Sequence, residues 1–203
     1  MGALFMGLRE RKKALKRQEI VTVAMDLFDQ KGFDKVTVAE IAKQAGIAPK
    51  TLFTYFKSKD DIMFHNETIL LSGIRHLIQQ QTSIANLWPA FHQFTEELPT
   101  DEATQGALEA MRQLMANVIR NPELGNRRLQ MWATYETQIQ AALIEQRLTD
   151  SLTAQVLAHQ MILVLQIMFA EEVPDDFWQA RVTRIFNATS QVASLTNEVD
   201  MTL

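Results

Sequence analysis

Between residues 37 and 59, TVAEIAKQAGIAPKTLFTYFKSK, apolar positions recur in two short helical runs split by a glycine and a proline. In the first run Val38, Ile41, Ala42 and Ala45 fall on one helical face and Glu40, Lys43 and Gln44 on the other, the pattern of a helix that packs by one side. Thr37 is placed to cap it, with Glu40 three residues on able to reach back and complete a capping box. Gly46 ends it, since glycine enters the left-handed conformation without a Cβ clash. Pro49 suits the first turn of the second helix, where an N–H would have no partner. There Leu52 and Phe56 face inward and leave Lys50, Thr51, Phe53, Thr54 and Tyr55 outside or at the edges. Two short helices joined by a tight turn, the second with a polar outer face, form a device for placing a helix in a DNA major groove. Ser58-Lys59-Asp60-Asp61 repeats the cap-plus-acid pattern and starts a further helix, with Lys59 at its positive end where a phosphate would be held.

Elsewhere the chain is striped at helical spacing. Ile20, Ala24, Leu27 and Phe28 mark an apolar face upstream. Downstream, one helix is predicted over 59–81 and another after Asn86, with Pro89 in its first turn and its end near Leu98 and Pro99. Asp101 can cap a third, running to about Ile119. Asn121-Pro122-Glu123 combines cap, proline and first-turn acid, so a long helix is predicted from there to about Arg147. A helix over about 152–171 is apolar almost all round, which implies burial on more than one side. The last starts near Pro174-Asp175 and carries Trp178, Val182, Ile185, Phe186, Thr189, Val192 and Ala193 at three- and four-residue steps. Glycine and proline together number twelve and no strand-like alternation persists, so the chain reads as all-α. Its expected parts are an N-terminal three-helix helix-turn-helix DNA-binding domain with a basic arm over 1–58 and a helical bundle over 59–203.

Charge changes the picture by sorting the two ends. Residues 1–60 hold twelve Lys/Arg against seven Asp/Glu, residues 61–203 eight against seventeen, and all nine lysines lie at or before Lys59. One basic end on a net-acidic chain confines phosphate neutralisation to that end and keeps the rest repelled from nucleic acid. Within it, Lys50 can donate to guanine O6 and N7, Thr51 and Thr54 can meet a base edge or a thymine methyl, and Tyr55 can donate to phosphate. Arg9, Arg11, Lys12, Lys13, Lys16 and Arg17 form the densest cluster. As an arm or frayed helix start it reaches the neighbouring minor groove or phosphates; a solvated charge run is the competing reading. The DNA-contacting candidates are therefore Thr37, Lys50, Thr51, Phe53, Thr54, Tyr55, Lys59, Arg11, Lys12 and Lys16.

Thr37, Ile41, Ala42, Ala45, Gly46, Thr51, Leu52, Phe53, Tyr55, Phe56, Ser58 and Lys59, with Leu27, Phe28, Gly32 and Phe33 upstream, resemble the N-terminal signature of the TetR/AcrR family of bacterial transcriptional regulators. The likeness covers the first quarter to third of the chain. It departs at Ala48, where the family often has a capping Ser or Thr, and at Pro49, so base readout leans on Lys50, Thr51 and Thr54. The resemblance implies a ligand-responsive repressor that binds a pseudo-palindromic operator as a homodimer, its last two helices pairing across a two-fold axis. A dimer is also what discrimination needs, because two half-sites about 34 Å apart multiply the contacts. Interface candidates are Leu163, Ile167, Trp178, Val182, Ile185, Phe186 and Thr189. A pocket for a small apolar or amphipathic effector is implied among Trp88, Phe91, Met111, Met115, Trp132, Tyr135, Gln138 and Met161, with His92 and Gln166 as further polar points. Core packing is the alternative use of each.

Other classes find less support. His65, His76, His92 and His159 lack paired ligand spacing, and there is no glycine-rich phosphate loop or nucleophile elbow, so no catalytic residue, metal or cofactor is expected. A helical adaptor that has lost specific DNA binding is the alternative function. Zero cysteines fit a reducing cytoplasm. The opening MGALFMGL is too short for a signal peptide, and the apolar run 161–170 is about half of the ~20 residues a membrane span needs.

Overall fold

The computed structural model describes residues 7–100, 102–170 and 174–199. The expected caps and ends at Asp101 and Glu171, and the side chains of Val192 and Ala193, lie outside the described residues. All regular structure among the described residues is helical, in two compact units that divide after His65.

The first unit contains α1 (Leu8–Lys31), α2 (Val38–Gln44), α3 (Pro49–Leu52) and α4 (Lys59–Met63). The helix α1 runs through the basic cluster, and only its second half, at Ile20, Val21, Ala24, Leu27 and Phe28, is buried. The turn from α2 to α3 is a Schellman closure: the Ile47 N–H donates to the Ala42 carbonyl (2.9 Å) and the Gly46 N–H to that of Lys43 (3.2 Å). Gly46 holds φ +65° there, a conformation that costs a residue with a Cβ about 1–2 kcal/mol. Thr37 caps α2 as expected, its hydroxyl accepting from the Glu40 N–H at 3.2 Å. The reciprocal half of the box is replaced, because the Glu40 carboxylate pairs with Lys31. That hydrogen bond holds the carboxyl below its ordinary range.

The helix expected over 59–81 is broken into α4 and α5 (Glu67–Gln79). Ile62, Met63 and Phe64 are all buried, and three successive residues spread over too wide an arc to share one helical face. The chain therefore turns, and α4, packed on α1, belongs to the first unit although the division was expected at Ser58.

In the second unit, α5 is followed by α6 (Ile84–Glu97), α7 (Glu102–Arg120), a 3-10 turn (Pro122–Leu124), α8 (Gly125–Glu145), α9 (Ser151–Met168) and α10 (Asp175–Val199). The centre is α8, packed against α9 and α5, while α10 packs on α6 and α9. Ser83 caps α6, which places Pro89 inside the helix rather than in its first turn. Asn121 does not cap forward, because its side-chain amide donates back to the Asn117 carbonyl at 2.7 Å; α8 starts only at Gly125. Asp150 caps α9, accepting from the Leu152 and Thr153 N–H groups at 2.9 and 3.0 Å and from the Thr153 hydroxyl at 2.7 Å.

By length and composition α9 would also pass for a membrane span. Here it buries Ala154, Ala158, Met161, Ile162, Val164, Leu165 and Met168 in the unit. Leu152, Val156, Leu163 and Ile167 remain exposed on it, so within one chain the helix is covered on one side only.

Candidate nucleic-acid interface

The segment from Pro49 to Phe56 is one turn of α-helix followed by a tighter continuation. Leu52 is fully buried and Phe56 is at 2% exposure. The Tyr55 N–H donates to the Leu52 carbonyl at 2.9 Å and the Thr54 N–H to that of Thr51 at 3.0 Å, so the helix tightens toward its end. Lys50, Thr51, Phe53 and Thr54 are exposed and Tyr55 half-buried, which places the expected reading residues on the outer side. Lys50 makes no ion pair or hydrogen bond among the described residues. The Thr54 hydroxyl already donates to the Thr51 carbonyl (2.7 Å), so it has lone pairs and a methyl to offer outward. Thr37 is exposed at the start of α2.

The cations divide into two groups. Arg11 and Lys12 stand on the solvated half of α1 with no protein partner among the described residues. Lys16, expected to touch DNA, instead donates to the Ala45 carbonyl at 2.9 Å and to Glu19 at 2.9 Å, neutralising the C-terminal end of α2. Lys59 donates to the Phe33 carbonyl at 2.6 Å and lies 4.0 Å from the centre of the Phe33 ring. These contacts hold its ammonium toward the protein. The Arg17 guanidinium donates to the Tyr55 carbonyl at 2.6 Å and sits 4.0 Å from the Phe56 ring centre, clasping the end of the reading segment onto α1. That role was not foreseen, since residues 38 apart reveal nothing of their contact in a linear pattern. Beside it His65, bonded through Nδ1 to the Ile62 carbonyl at 2.9 Å, is pushed below the ordinary imidazole value by burial, with Arg17 adding to the shift.

In the second unit most of the expected effector residues are buried or in contact with neighbouring side chains. Phe91, Met111, Tyr135 and Met161 are buried. The Tyr135 hydroxyl donates to the Glu67 carbonyl, and burial raises its pKa. Trp88 stacks with Phe91 and Phe186, ring centres 5.8 and 5.2 Å away, and Gln138 accepts from Arg75 at 3.3 Å. Only Met115 and Trp132 of that set line a described cleft, together with residues that include Gln166 and the unforeseen Arg128.

The dimer set also divides. Trp178, Val182, Ile185 and Phe186, expected at a subunit face, are buried within the unit's own core, and the Trp178 indole N–H donates to the Thr95 carbonyl at 2.7 Å. A stripe at helical spacing shows that one side of a helix is covered, not what covers it. Leu163 and Ile167 are exposed and Thr189 half-buried.

A tight-turn helix pair with an outward polar face, in a chain whose second unit is a helical bundle, defines a helix-turn-helix protein. Residues 20–65 match the model for bacterial regulatory proteins of the tetR family. The fatty acid metabolism regulator protein of Bacillus subtilis (strain 168) is 38% identical over 53 residues, 26% of this chain and 27% of its own length. The HTH-type transcriptional regulator TcmR of Streptomyces glaucescens is 36% identical over 56 residues, 28% and 25% of the two lengths. The match thus spans about a quarter of either relative. Salmonella enterica GusR shares the fold over 91% of this chain and 95% of its own, with a TM-score of 0.55 at 14% identity.

Proposed function

We propose that the chain is a sequence-specific transcriptional regulator that binds double-stranded DNA in the cytoplasm, as a homodimer on a pseudo-palindromic operator, and releases it when a small effector binds. The observation that carries this reading is the polar outer side of residues 49–55, held out by the buried Leu52 and Phe56. Lys50, Thr51 and Thr54 read base edges, with Phe53 against thymine methyls or sugar. Tyr55 and the Thr37 end of α2 hold phosphates, and Arg11 and Lys12 reach the adjacent backbone or minor groove.

The subunit face is assigned to α9. Leu152, Val156, Leu163 and Ile167 follow one another at steps of four, seven and four along the helix, a continuous apolar stripe open to solvent. Effector binding favours one spacing of the two heads over another and so weakens operator affinity.

The test is selection of bound fragments from random DNA, followed by salt titration of the selected site. A regulator yields a two-fold symmetric site and a log–log slope near -0.9 per phosphate neutralised. Absence of saturable binding to any fragment would return the chain to the adaptor class.

A further inference from the structure

Among the described residues five arginines are half-buried, and four of them are engaged. Arg127 pairs with Glu67 at 2.6 Å, Arg75 donates to Gln138 at 3.3 Å, Arg181 donates to the Ile167 carbonyl at 2.8 Å, and Arg112 lies 4.9 Å from the Trp178 ring centre. Arg128 has no such partner among the described residues; its Nε is cut off from solvent without an acceptor, as are those of Arg75, Arg112 and Arg181, so what sets Arg128 apart is that no other contact engages its guanidinium. A cation held partly out of water with nothing opposite it is costly, and the cost falls when an anion arrives.

Arg128 opens onto a cleft of about 250 Å³ between α7, α8 and the end of α9. The floor is apolar and buried, made by Met115, Trp132 and Phe169. Ile119 and Leu129 form a rim at 62% and 60% exposure, large apolar side chains left in water beside a charge. Apolar walls of low polarisability strengthen an ion pair relative to water, and Gln166 supplies an amide at the same mouth.

We propose that this cleft is the effector site and takes a small amphipathic monoanion, a carboxylate or like group on an apolar body, with Arg128 as its counter-ion. The word effector rests on the regulator reading above; the binding site does not. The carboxylate meets the guanidinium while the tail covers Trp132 and Phe169 and shields Ile119 and Leu129.

The probes are octanoate and its uncharged counterpart octanamide, titrated calorimetrically into the full chain in parallel with binding of the selected DNA site. Octanoate is expected to bind at least about tenfold more tightly than octanamide. Arg128→Met should abolish that preference while keeping octanamide binding, and Arg128→Lys should retain most of it. Equal affinity of the two probes for the native chain, or no binding of either, overturns the proposal even if Arg128→Met fails to fold. A preference that survives in folded Arg128→Met does the same. So does loss of the dimer in Arg128→Met without any effect on octanoate, which would make the cleft a subunit contact. DNA binding without octanoate binding sinks this inference alone; octanoate binding without DNA binding sinks the regulator reading and leaves the site standing.

Discussion

The two units treat their cations in opposite ways. In the first, Lys16, Arg17 and Lys59 donate to backbone carbonyls and hold three short helices in place, while Lys50, Arg11 and Lys12 stand outward with no protein partner among the described residues. In the second, four half-buried arginines each have a contact within the bundle and one lines an apolar cleft. Helices of four, five and seven residues bury too little to hold themselves, so side-chain-to-backbone clasps supplement the small core. The longer helices of the second unit rely on a core of Trp, Phe, Tyr and Met instead. A positive charge in the first unit is therefore either a clasp or stands outward without a protein partner among the described residues, and only the coordinates tell which.

The largest effect tests the core side of that contrast. Trp178→Ala should cost about 3–5 kcal/mol of unfolding free energy in urea, because a fully buried indole and its hydrogen bond to Thr95 are lost together. A variant of unchanged stability that dissociates into monomers would return Trp178 to a subunit face.

Gly46→Ala comes next, at about 1–2 kcal/mol. Nothing lies within 4 Å of a Cβ built there, so the positive φ alone is responsible. A neutral result by thermal denaturation would mean that the turn relaxes.

Smaller still is Arg17→Gln, at about 1 kcal/mol for an exposed clasp. DNA affinity should fall on every sequence alike, with the salt slope unchanged. Arg11→Gln should do the reverse, lowering the slope by about 0.9 and leaving stability alone. Interchange of the two phenotypes would refute the division into clasps and contacts.

The smallest effect is that of pH. His65 is neutral by preference in the fold, so its contribution is full above about pH 6.5 and is lost as pH falls from there through its lower folded-state value. Urea midpoints should decline over that interval, and His65→Gln should flatten the decline.

The helix-turn-helix was legible because its signals are local. Thr37, Gly46 and Pro49 act on backbone within four residues of themselves, and each does so in the structure. The carbonyl contacts of Lys16 and Lys59 were not legible for the opposite reason, since their acceptors lie 29 and 26 residues away. The break at Phe64 carries no glycine or proline and follows only from which residues the core takes. Periodicity marked Trp178, Val182 and Phe186 as covered but could not distinguish α6 from a second chain. Arg128 looked like any charge on a helix until its place in the lining of an apolar cleft was visible.

The most direct measurement compares native chain and Lys50→Ala on the selected site and on its single-base variants. If the outward side of residues 49–55 enters the duplex, Lys50→Ala loses discrimination of about 1–3 kcal/mol at one base pair of each half-site and keeps it at the others. Uniform weakening across all variants, or none, would contradict base reading by that face.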